Sequence, residues 1–114
     1  MERLKQRADF LAAAKGARVP AGPFVLQVRE RGDTAAPRFG FTVSRKVGTA
    51  VERNRVRRRL REIVRRHAAL TGQNGHDYVL IGRRAALTMP FERINSEFLG
   101  AMTRLSRGRR REHP

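Results

Sequence analysis

The chain has 114 residues, with 26 Lys and Arg against 10 Asp and Glu, a net charge of +16 and no cysteine. That length suits one domain, and the missing cysteine excludes disulfide frameworks, thiolate metal sites and a cysteine nucleophile. No run approaches the ~18 apolar residues of a membrane span, and MERLKQRADF has no apolar stretch of the kind that follows the basic residues of a signal peptide, so a cytoplasmic protein with no membrane partner is expected.

Asp9 is placed to cap a short helix from Phe10 to about Lys15, with Gly16 stopping it. Arg18 to Pro23 holds two prolines and a glycine and reads as a loop with room for a short edge strand. Phe24 to Val28 is strand-like, and Arg31 to Pro37 is a polar turn. In Arg38 to Ser44 the residues alternate. Phe39, Phe41 and Val43 fall on one face and Gly40, Thr42 and Ser44 on the other, as in a strand with one face in a core. From about Ala50 to Leu70 the period becomes helical, with Val56, Leu60, Ile63, Val64 and His67 in one stripe. Gly72 and Gly75 end it. Tyr78 to Ile81 is an unbroken apolar run suited to an interior strand, and a last helix starts near Met89 and Pro90, burying Phe91, Ile94, Phe98, Met102 and Leu105. Residues 1–106 form one expected domain, and 107–114 are expected as a basic, disordered tail. The order helix, strands, helix, strand, helix describes an α+β sandwich, with a parallel pair joined through the helix at 50–70.

A charge this one-sided repels itself, and its usual counterpart is a polyanion. An anionic membrane would be met by a basic helix with apolar anchors such as Trp, which the chain lacks. The charge is also concentrated: residues 45–66 carry ten basic and two acidic side chains. At about 100° per residue, Asn54, Arg58, Arg61 and Arg65 point away from the apolar stripe. Arg57 lies on one flank and Arg55, Arg59 and Arg66 on the other. An ordinary solvated helix face would pair Glu with Arg or Lys one turn apart, and here only Glu62 with Arg66 does so well. Asn54 both donates and accepts hydrogen bonds; it suits a base edge or a 2′-hydroxyl, and by residue type alone capping the helix is its first expectation.

Arg53-Asn54-Arg55, preceded by Val43-Ser44-Arg45-Lys46-Val47-Gly48 and followed by Arg57-Arg58 and Leu60-Arg61, resembles the signature of the bacterial ribonuclease P protein family. Asp9-Phe10, Arg38-Phe39-Gly40-Phe41 and Asp77 to Arg83 match further family segments, so the likeness spans nearly the whole chain. It implies an α/β sandwich with a four-stranded sheet and a left-handed β-α-β crossover through the arginine-rich helix. It also implies a ribonucleoprotein in which the RNA subunit holds catalytic Mg²⁺ and cuts precursor tRNA to leave a mature 5′ end. This chain would supply no catalytic residue and bind no metal, with one protein per RNA. By resemblance, Arg45, Lys46, Arg53, Asn54, Arg55 and Arg58 face the RNA subunit, and Phe10, Gln27, Thr42, Arg57 and Arg61 line a cleft for the 5′ leader. Two departures stand out: Ala14 and Gln27 occupy positions where relatives can carry aromatic residues, so this cleft is expected to lean more on charge than on stacking.

Two other functions compete with that reading. A protein nuclease in its own right needs clustered carboxylates for metals, or a histidine with a partner. The acids here are scattered, His67 lies on the apolar stripe, His76 is expected in a loop and His113 in the tail. A structural RNA-binding protein of ribosomal type fits the composition equally well and is separated only by the motifs.

Overall fold

Residues 38–43 do form a strand with one apolar face, and the rest of the molecule is assembled on its two sides. The computed structural model describes residues 2–112, the side chains of 68–70 and 107–112 falling outside the description. The elements are β1 (Glu2–Arg3), α1 (Arg7–Ala13), β2 (Ala17–Pro20), β3 (Phe24–Glu30), β4 (Arg38–Val43), α2 (Ala50–Thr71), β5 (His76–Gly82) and α3 (Phe91–Glu112). They make a mixed α+β fold with one five-stranded sheet in the order β1-β4-β5-β3-β2. β4 and β5 pair in parallel, with α2 as the crossover between them, whereas β3 runs antiparallel to both β5 and β2.

The sheet has one strand more than expected. β1 is two charged, exposed residues with no hydrophobic pattern to announce it. It is held in parallel beside β4 by backbone pairing, by the Leu4 N–H donating to the Phe39 carbonyl at 2.9 Å, and by burial of the Leu4 side chain. β3 and β5 also outrun their apolar runs, because register carries them on through Arg29↔Asp77 and Glu30↔His76. His76 therefore lies in a strand, not in a loop. α1 begins at Arg7, and Asp9 is not its cap: its carboxylate sits in the first turn, 3.3 Å from Arg29 and 3.5 Å from Arg38. α3 continues to Glu112, so residues 107–112 of the expected disordered tail are helical. Arginine is a good helix former, and no proline interrupts the segment. Residues 113 and 114 lie outside the described residues.

The two faces of the sheet bury different things. Toward α2 and α3 point Phe24, Leu26 and Val28 of β3, Phe39 and Val43 of β4, and Tyr78 and Leu80 of β5. They meet Val56, Leu60, Ile63 and Val64 from α2, and Ile94, Phe98, Met102 and Leu105 from α3. Full burial of each large side chain contributes ~1.5–3 kcal/mol, so this layer fixes α2 against the sheet. The opposite face is lightly covered: Leu4, Ala13 and Val79 are buried there, with half-buried Phe10 and Ile81 beside them. Among the described residues no helix is long and apolar enough to cross a membrane.

One buried charge ties the sheet's polar end together. Asp77 has no solvent exposure. Its carboxylate accepts two hydrogen bonds from Arg38, both at 2.8 Å, and one from Arg31 at 2.5 Å. Burial pushes its pKa up, but the two guanidiniums outweigh that and hold it below the ordinary carboxylate value. Asp77→Asn leaves the two arginines without their counter-charge and is expected to cost ~3–5 kcal/mol in urea denaturation at pH 7. A depressed carboxylate stabilises the fold above its unfolded pKa, about 4, and that contribution is lost as pH falls through its folded value. The gap between wild type and variant should therefore close below about pH 4.

Candidate nucleic-acid interface

α2 begins in a device that keeps its first turn in place. The Thr49 hydroxyl accepts from the Glu52 N–H at 3.2 Å, while the Glu52 carboxylate accepts from the Thr49 N–H at 2.9 Å, a reciprocal capping box. Capping by Asn54, the first expectation for that residue, is thereby corrected. Its side-chain oxygen instead accepts from Arg57 at 2.9 Å. Gly48 makes the cap possible, since a Cβ there would lie 2.3 Å from the Glu52 carboxylate. Arg53 donates to the Gly48 carbonyl at 3.0 Å, so it braces the turn between β4 and α2 as well as offering charge. In that turn Arg45 and Lys46 are exposed, and Val47 just after them is buried.

With Val56, Leu60, Ile63 and Val64 all fully buried, the arginines between them are driven to the flanks and the outer side. The flanks differ. On the α3 side, Arg59 donates to the carbonyls of Leu87 and Met89, and the Arg66 guanidinium lies 4.8 Å over the Phe91 ring. These cations are bound to the protein itself. Toward the C-terminal end of the outer side, Glu62 accepts two hydrogen bonds from Arg65, at 2.7 and 3.0 Å, and one from Arg66 at 3.1 Å, and these hold its carboxyl down at about 2. The N-terminal half is different. The side chains of Arg55, Arg58 and Arg61 make no hydrogen bond or ion pair among the described residues, and that of Arg57 bonds only to neutral Asn54. Exposed Val51, Asn54 and Arg58 and half-buried Arg57 and Arg61 border one shallow groove.

Arg57 and Arg61 also reach a second opening, between α2, β4, α1 and the N-terminal segment, where Phe10, Gly40 and Phe41 form its wall. The Phe10 ring lies against Gly40, whose missing side chain is what admits it: a Cβ there would stand 2.5 Å from the ring. Arg61 is partly desolvated and faces the charges of Arg3 and Arg57, which together lower its pKa. Arg3 and Lys5 border the opening too. Sequence reasoning missed both, since Arg3-Leu4-Lys5 is too short an alternation to signal a strand. Three of the five expected cleft residues, Phe10, Arg57 and Arg61, thus meet at one place. Thr42 and Gln27 do not line it. They share Phe10's face of the sheet, Thr42 half-buried and paired with Ile81, Gln27 almost fully buried and paired with Val79.

Histidines and acids gather nowhere in a catalytic pattern among the described residues. His67 sits 2.5 Å from the Asn95 side-chain oxygen, at the edge of the core. No three Asp, Glu or His side chains converge as metal ligands among the described residues.

A family model described as Ribonuclease P matches residues 1–106. The ribonuclease P protein component of Brucella suis is 40% identical, over 96% of this chain and 86% of the relative. That of Ruegeria pomeroyi is 44% identical, over 90% and 84%. Among solved structures, the ribonuclease P protein of Thermotoga maritima superposes with a TM-score of 0.77 at 32% identity, covering 91% of this chain and 97% of that one. The Staphylococcus aureus protein superposes with a TM-score of 0.76 at 29% identity, covering 90% and 94%.

The contact of Phe10 with Gly40 is directly testable. Gly40→Ala forces the ring off the strand and should cost ~1–3 kcal/mol, the range for overpacking, in thermal or urea unfolding. Phe10→Ala combined with Gly40→Ala should recover part of that loss relative to the sum of the single changes.

Proposed function

The chain belongs to the ribonuclease P protein family, and on that premise we propose that it is the protein subunit of a ribonuclease P holoenzyme. It binds the catalytic RNA subunit and the 5′ leader of precursor tRNA, and so assists removal of the leader to give the mature 5′ end. The observation that carries this reading is the unpaired cationic N-terminal half of α2, anchored from behind by four buried aliphatic residues. Guanidiniums without carboxylate partners have their charge available for phosphate, in the planar geometry phosphate accepts.

We assign the division of labour by the family resemblance, and the placing of Arg57 and Arg61 beside Phe10 supports it. Arg45, Lys46, Asn54, Arg55 and Arg58, with Arg53 bracing them, form the outward surface assigned to the RNA subunit. Phosphate contacts of this kind fix position without reading sequence. Arg57 and Arg61, on the flank that meets Phe10, are assigned to the leader, with Thr42 and Gln27 further along the same sheet face. Phe10 offers an aromatic plane for a leader base, and such contacts are worth ~1–3 kcal/mol per base.

Asp77 and Glu62 of this chain are engaged by arginines, which supports a role in binding RNA for this chain over one in the chemistry. In this reading the Mg²⁺ belongs to the RNA subunit, as the family resemblance implies. This chain's part is to neutralise phosphate repulsion between the RNA subunit and the substrate, and to hold the leader. It does this in the cytoplasm, as one protein per RNA.

Adding the protein to its cognate RNA subunit should lower the Mg²⁺ concentration required for cleavage of precursor tRNA; no change in that requirement would contradict the assignment. Arg55→Ala with Arg58→Ala removes two phosphate contacts. It should flatten the dependence of log affinity for the RNA subunit on log salt by about 1.5, given slopes of roughly 0.7–0.9 per phosphate.

A further inference from the structure

The opening beside Phe10 gathers four cations and no carboxylate. Arg57 and Arg61 come from α2, and Arg3 and Lys5 from the N-terminal segment. The Arg61 Nε–H is buried there without a hydrogen-bond partner. A buried N–H left unmet is costly, more so on a charged group. The free protein thus holds an unsatisfied donor among like charges that repel one another. Phe10, Gly40 and Phe41 supply a flat, largely apolar wall alongside. A ligand with several anionic oxygens joined to an aromatic plane answers all of these features together. A nucleotide within a single strand has that chemistry.

We propose that Arg3 is a further positioning residue for the leader, closing a one-nucleotide subsite in which the phosphate lies between Arg3 and Arg61 and the base lies against Phe10. This rests on the leader-binding reading above. β1 pairs with β4 alone in the sheet, along only two residues. A phosphate bridging Arg3 and Arg61 ties that short edge strand to α2 and so completes the wall of the cleft when substrate arrives. The Arg3 side chain is exposed and makes no ion pair or hydrogen bond among the described residues, while its backbone pairs with β4. The strand thus holds the residue in place and leaves its guanidinium available to a ligand.

The test uses holoenzyme reconstituted with wild-type protein, Arg3→Gln or Arg3→Lys, and measures affinity for precursor tRNA with a five-nucleotide leader and for mature tRNA. Arg3→Gln should weaken binding of the leader-bearing RNA on the order of threefold to tenfold, as for loss of one phosphate contact, and leave mature tRNA unchanged. Arg3→Lys should restore most of the loss. Thermal unfolding of the free protein in low-salt buffer supplies the second readout. Arg3→Gln should leave the midpoint unchanged or raise it, because a repulsion is removed, and inorganic phosphate should raise it less than in wild type. Equal affinity of wild type and Arg3→Gln for the leader-bearing RNA overturns the proposal, as does equal weakening for both RNAs or a lowered midpoint that Arg3→Lys does not restore. Wild-type holoenzyme that fails to distinguish the two RNAs overturns the leader reading itself, and this subsite with it.

Discussion

The burial of one stripe of α2 against the sheet is the constraint on which everything else depends. Val56, Leu60, Ile63 and Val64 are fully buried, and their spacing leaves the intervening arginines no direction except outward or sideways. Each buried side chain contributes a few kcal/mol. An exposed arginine pair one turn apart costs only a few tenths. The core term wins by a wide margin, so the helix tolerates a row of like charges that would weaken it in isolation.

What the acidic residues do is as informative as where the arginines lie. With ten carboxylates against 26 cations, not every cation can be paired, and the pairing is uneven. Asp77 and Asp9 are spent at the polar end of the sheet on Arg29, Arg31 and Arg38. Glu62 holds Arg65 and Arg66 near the far end of α2. Glu52 serves the helix cap and approaches only Arg84. Many cations are left without a carboxylate among the described residues, and those of the first half of α2 and the neighbouring N-terminal segment stand together around one opening; it is this gathering, more than the total charge, that supports the proposed anion-binding surface.

Much of this was legible in the sequence, for a physical reason: periodicity reports burial. The alternation in β4 and the stripe on α2 were read correctly, as was the parallel pairing of the strands on either side of α2, because each involves large apolar residues at fixed spacing. Features built from backbone pairing and from charge were harder to see. β1 has no apolar pattern and exists through the register it finds beside β4. Asp77 looks like an ordinary strand-end acid until Arg31 and Arg38 arrive from distant positions. Glu62 with Arg66 was anticipated, yet the closer partner is Arg65, three residues away. Gly40 was read as a small residue on the open face. Its role in admitting the Phe10 ring needed the third dimension.

Because the chain has no cysteine, a single one can be introduced and labelled cleanly. Hydroxyl-radical cleavage from iron chelate at Val51→Cys, on the exposed first turn of α2, can be compared in assembled holoenzyme with cleavage from Ser96→Cys on the exposed side of α3. Strong, localised scission of the RNA subunit from position 51 and little from position 96 is the expected pattern. Equal scission from both positions, or stronger scission from position 96, would contradict the claim that the arginine-bearing half of α2 is the surface that meets RNA.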